Sequence, residues 1–209
     1  MNWLKKNWLS LLLTLILIIP IIFMIFHIRI SINSNGILSF HTIHNGYGNG
    51  GKNLLTHVSG EFAIRLFVFC LTITPISIIF GLKKVIKYKK LFGIYTFIYS
   101  LMHFFFFITS RGFSSLSQNI GFIIGTTSFV ILLFLCITSN KWSIKFLGKK
   151  WKILQKFAYL SGCLCVTHLV FLGNEIWIVY GIILIAGYII RIPKIKEKFV
   201  NLHRFKTVW

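Results

Sequence analysis

Six apolar runs dominate this chain, and each approaches or exceeds the ~17–20 residues that a helix needs to cross the hydrocarbon core of a bilayer. They cover 8–28, 62–81, 91–109, 120–139, 153–173 and 176–192. In lipid a backbone must satisfy its own hydrogen bonds, so such runs fold as helices. The expectation is an all-α integral membrane protein: one transmembrane domain over 1–209, built as a six-helix bundle. Of the 209 residues, 56% are hydrophobic and only 12% charged. Together with a mean hydropathy of +0.80, this excludes an ordinary soluble domain. The first run is too long for the apolar core of a signal peptide, and no small-x-small cleavage site follows it.

A net charge of +20 would point to nucleic acid in a soluble protein. Here the placement of the charges argues for lipid instead. With the N-terminus inside, all of the 23 basic residues fall on one side except Arg29, Lys52, Arg65 and Arg111. That asymmetry follows the positive-inside rule with both termini cytoplasmic. The basic loops, and the tail at 193–209, then read as topology signals and phospholipid contacts.

The long loop at 31–59 is rich in Asn, Gly and Ser and is expected on the periplasmic side. Its Gly46-Tyr-Gly-Asn-Gly-Gly-Lys52-Asn53 stretch mimics a nucleotide-binding loop. It lacks the Ser or Thr for magnesium and has no preceding strand. His41 and His44 there have no evident third or fourth metal ligand, and His27 reads as an interfacial residue. Glu61 and Arg65, four apart on the second span, can pair. The four cysteines, Cys70, Cys136, Cys163 and Cys165, lie in spans, and Cys163-Leu164-Cys165 has the wrong spacing for a redox or zinc motif. They read as small packing residues. No internal repeat is visible.

Two histidines lie deep in spans, where an ionisable side chain costs a few kcal/mol and is rarely idle. Counted from the cytoplasmic ends, His103 is about 12 residues in, roughly 18 Å, and His168 about 15 residues in, roughly 22 Å. Imidazoles at similar height on two helices can ligate a haem iron from both faces. Zinc would want three or four protein ligands, whereas haem supplies four nitrogens itself, and two axial imidazoles favour electron transfer over oxygen chemistry. Small or aromatic neighbours (Tyr99 and Ser100; Ser161, Gly162, Leu164 and Cys165) would leave room for a porphyrin or pack against it. These arguments fit equally well two unrelated histidines, each bonded to a helix carbonyl.

Three segments follow one known pattern in order: His57-Val-Ser-Gly with Ala63 and Thr72-Ile-Thr-Pro75; Lys89-Lys-Leu-Phe-Gly93 with Leu101-Met-His103; and Leu147-Gly-Lys-Lys-Trp151 with Tyr159-Leu and His168. From about Leu55 onward the chain resembles the MsrQ (YedZ) family of haem-binding membrane subunits, within the ferric-reductase-like transmembrane superfamily. The resemblance implies a b-type haem protein of the bacterial inner membrane, with His103 and His168 as iron ligands. It further implies electron transport outward to a periplasmic molybdenum methionine-sulfoxide reductase, MsrP. The donor would be a cytosolic flavin reductase or the quinone pool, and FMN is associated with the family, a flavoprotein link.

The chain departs from the family at several positions. A family histidine at the start of the fifth span is Gln155 here, which argues for one haem rather than two. A double arginine is replaced by Lys89 and Lys90, which keep the charge but lose the bidentate phosphate fork. An Arg-Pro-Tyr before the fourth span reads Asn119-Ile120-Gly121. His57, Gln155, Lys89 and Lys90 remain further candidate site residues. With no GxGxxG and no soluble nucleotide domain, the expectation is an electron-transfer subunit rather than a complete reductase. The rival readings are a small transporter, poorly served by a membrane interior without acidic residues, and a family member that has lost its haem.

Overall fold

The computed structural model describes residues 2–26, 28–32, 38–42 and 54–206. His27, His44 and the glycine-rich Gly46–Asn53 stretch lie outside the described residues, as does the side chain of His41. Helix α1 (Asn2–Phe26) leads into a two-stranded antiparallel ribbon, β1 (Ile28–Ile32) and β2 (Leu38–Thr42), which pairs Ile28 with Thr42 and Ile32 with Leu38. This ribbon occupies part of the expected loop and is the one sheet among the described residues. The rest is helical.

Helix α2 (Leu54–Phe80) begins eight residues before the expected apolar run, so His57, which falls within the loop assigned to 31–59, lies on the same helix as Glu61. The polar turn at its start escaped a reading based on apolar runs. A short 3₁₀ segment joins α2 to α3 (Lys89–Arg111), and Gly112, at φ +78°, ends α3 in a conformation that favours glycine. Another 3₁₀ turn leads to α4 (Ile120–Ile137), capped by the Asn119 side chain on the Gly121 N–H at 2.7 Å. The fifth span is interrupted. Short helices α5 (Lys141–Leu147) and α6 (Lys149–Leu154) precede α7 (Phe157–Phe171), with a tightened turn at Gln155–Lys156 in which Lys156 N–H donates to Ile153 O.

Helix α8 (Trp177–Ile190) has 14 residues, about 21 Å at 1.5 Å per residue and short of a ~30 Å hydrocarbon core. Pro193, well placed to open a helix, starts α9 (Pro193–Lys206), which is bent by 77° from α8. Among the described residues five helices are long and apolar enough to cross a membrane, and the expected sixth span qualifies only as this bent pair.

Two apolar clusters hold the bundle. One joins α1, α2 and α3 through Leu17, Met24, Leu55, Ala63, Phe92, Tyr95, Tyr99 and Phe106. Buried Tyr99 donates its hydroxyl to Leu17 O at 2.8 Å, in the turn loosened by Pro20. The other joins α2, α4 and α8 through Phe67, Val68, Leu71, Leu132, Leu135 and Leu184. Helix α4 packs along α7, stitched by Ser128, whose hydroxyl lies 2.8 Å from Ser161 Oγ and 3.1 Å from Cys165 Sγ. In an apolar medium such hydroxyl pairs act as interhelical glue.

Candidate functional site

His103 on α3 and His168 on α7 are held in the same way. His103 Nδ1 lies 2.7 Å from Thr56 O on α2, and His168 Nδ1 lies 2.7 Å from Gly121 O on α4. Each carbonyl stands 47 residues before its histidine. A carbonyl only accepts, so both rings carry their proton on Nδ1. That tautomer leaves the Nε2 lone pair free, as in histidines poised to bind a metal. No hydrogen bond engages either Nε2 among the described residues.

Glycine makes room for both rings. A β-carbon placed on Gly60 would sit 2.7 Å from His103 Nδ1, and one on Gly125 would sit 2.6 Å from His168 Nδ1. The α2–α3 pair and the α4–α7 pair thus repeat one device: a glycine one turn past a carbonyl, with an imidazole folded over both. This is an internal repeat that sequence inspection missed. Apolar residues are interchangeable in lipid, so the repeat survives only in its few constrained positions.

Both histidines line one cavity between α2, α3, α4, α7 and α8, with about 1180 Å³ of empty space including its open mouth. Phe104, Phe107, Phe122, Phe129, Leu132 and Leu169 make its walls largely apolar. Phe104 and Phe129 stack with centroids 4.7 Å apart. Ser100 and Cys165, each three residues before a histidine, also line it. Tyr99 is instead committed to Leu17, and Ser161 to Ser128. Gly162 faces Leu71 and Tyr188, not the cavity, so of the expected porphyrin neighbours only Ser100 and Cys165 stand in this wall. An aromatic, apolar enclosure with two oriented imidazoles whose Nε2 atoms are free fits a haem, which His103 and His168 would hold and which would supply one-electron redox chemistry there. Among the described residues there is no group of three or more His, Cys, Asp or Glu to hold a bare metal ion.

The other candidates separate. His57 and Glu61 line the cavity at the end away from the lysine-rich loops. Glu61 Oε2 accepts from Arg65 Nη2 at 2.6 Å, and His57 Nδ1 lies 3.6 Å from Glu61 Oε1. Gln155 lies elsewhere, its amide reaching Leu135 O at 3.5 Å near the end of α4. Lys89 Nζ approaches Thr74 Oγ1 at 3.5 Å, and Lys90 is exposed. The cysteines are free thiols. Thr56 and Gly125 were absent from the sequence reading, and Gly60 and Gly121 entered it only inside quoted segments, with no role given to either. The equal separation of each glycine from its histidine was the signal that could have found them.

This is a multi-pass helical membrane protein with two histidines aimed into a shared aromatic cavity. Residues 59–166 match the ferric reductase like transmembrane component family, and the chain belongs to that family. It is 29% identical over 132 residues to the protein-methionine-sulfoxide reductase haem-binding subunit MsrQ of Bordetella parapertussis, covering 60% of this chain and 64% of that one. To the MsrQ of Brucella ovis it is 34% identical over 112 residues, half of each chain. The chain thus spans between half and two thirds of the length of these curated relatives. No solved structure matches it.

Proposed function

We propose that this chain is a haem-carrying electron-transfer subunit of a methionine-sulfoxide reductase system in the bacterial inner membrane. The observation that carries the reading is the matched pair of imidazoles, His103 and His168, each fixed by a carbonyl and a glycine with Nε2 free. Carbonyl bonds alone would also suit idle histidines. Their coincidence with a common cavity and identical cradles favours ligands. A bound haem would supply one-electron redox chemistry. The protein's part is to present two neutral imidazoles, to keep water from the iron with Phe104, Phe122 and Phe129, and to hold the cavity open with small residues.

In this reading both termini and the lysine-rich loops face the cytoplasm and 31–59 lies outside, so the cavity occupies the periplasmic half. Electrons come from a cytosolic flavin reductase or from quinol, and pass to a periplasmic molybdenum MsrP-like reductase. The relatives, named as haem-binding subunits of a protein-methionine-sulfoxide reductase, support the haem and the methionine-sulfoxide reductase system. One haem is expected per chain, because Gln155 offers no imidazole to a second. Lys89 and Lys90 keep the charge that an anionic flavin such as FMN would need.

The test is a dithionite-reduced minus oxidised spectrum of the detergent-purified protein, with haem counted per polypeptide. A b-type signal at about one haem per chain is expected. Its absence would leave the reading without its centre.

A further inference from the structure

Arg111, at the lysine-poor end of α3, stands beside the cavity with no acidic partner among the described residues. Its guanidinium carbon lies 5.6 Å from the centroid of Phe122, whose ring lines the cavity and meets Phe107 edge-on at 4.8 Å. Among the described residues, the ion pairs at this end belong to Glu61 with Arg65 and His57. The chain has only three acidic residues. Arg65 is therefore committed and Arg111 is not. Arginine on this face also runs against the charge asymmetry of the whole chain.

Resting on the haem reading above, we infer that Arg111 binds the anionic edge of the haem, its propionate carboxylates. A haem has an apolar body and one dianionic edge. The cavity wall is apolar nearly throughout, and the single carboxylate in it, Glu61, stands on α2 and repels a second anion. The α3–α4 corner carries the opposite charge. Arg111 lies eight residues beyond His103, about 12 Å along the helix at 1.5 Å per residue, and a guanidinium offers the planar fork that carboxylates accept. Stacking on Phe122 holds the side chain over the cavity wall and leaves its N–H groups free to turn to a carboxylate.

The test uses the full-length haem-loaded protein in detergent and reads haem transfer to excess apomyoglobin together with the midpoint potential. Arg111→Gln should release haem at least about tenfold faster, the order expected for loss of a charge-assisted pair. Its midpoint should fall, because removing a nearby positive charge favours ferric iron. Arg111→Lys should recover most of both. If Arg111→Gln fails to fold, wild-type protein loaded with haem dimethyl ester should itself release faster than with haem, since the ester has no carboxylates to pair. Release and midpoint unchanged in Arg111→Gln, or ester and haem released alike by the wild type, would overturn the assignment. Wild-type protein that holds no haem would instead overturn the parent reading, and this one with it.

Discussion

Gly125 stands so close to His168 that a β-carbon there would lie 2.6 Å from the ring nitrogen that bonds Gly121 O. The ring cannot retreat without giving up that bond, and Gly60 constrains His103 in the same way. Gly125→Ala and Gly60→Ala should each displace an imidazole and cut haem content to below about a tenth of wild type, since breaking one buried hydrogen bond and one ligand geometry together exceeds ~1.5 kcal/mol. Gly181→Ala, where the nearest atom is an ordinary 3.7 Å away, should leave haem content alone. Haem per polypeptide after size exclusion gives the comparison.

Arg191 is a second such relationship. Its guanidinium donates to Leu71 O, the carbonyl that would take its helical hydrogen bond from residue 75, where proline has no N–H. It also donates to Gly187 O at 3.0 Å and lies 4.9 Å from the Tyr159 ring. Arg191→Gln should destabilise the bundle by about 1.5–3 kcal/mol, as for a charged hydrogen bond. In a Pro75→Ala background, which restores the missing N–H, the loss should be smaller. Unfolding of all four proteins in mixed micelles closes this cycle, and equal losses in both backgrounds would count against the role given to Leu71.

Ser128 and Ser161 test the stitching of α4 to α7. Their hydroxyls are buried and 2.8 Å apart. The double-mutant cycle with Ser128→Ala and Ser161→Ala should give a coupling of about 0.6 kcal/mol and not above ~1.7, the range for interhelical hydrogen bonds in membranes. Zero coupling would mean that each hydroxyl serves only the opposite backbone.

The architecture was legible where chemistry forces it and obscure where it does not. Apolar run length gave the positions of α3 and α4 closely, because nothing else is stable in lipid. It missed the start of α2, whose first turn carries His57, and it made α8 and α9 look simpler than a helix bent at Pro193. His103 and His168 stood out because imidazoles are rare at that depth. Their supports did not stand out, being a glycine and a backbone carbonyl apiece. The pairing of Ser128 with Ser161 was likewise invisible beside Thr126 and Thr127, which bond carbonyls of their own helix.

Orientation follows from charge alone and can be checked directly. A fluorescent reporter that matures only in the cytoplasm should be bright when fused after Trp209. A phosphatase that is active only in the periplasm should work when fused in the turn after Gly112. The reverse pattern would invert the bundle and place the cavity in the cytoplasmic half.

The most direct measurement is the low-temperature paramagnetic resonance spectrum of the oxidised protein, taken for wild type, His103→Ala and His168→Ala. Two axial imidazoles produce a low-spin ferric haem, and either substitution should abolish that signal while the protein stays folded. A low-spin signal unchanged in both variants would contradict the assignment of His103 and His168 as ligands.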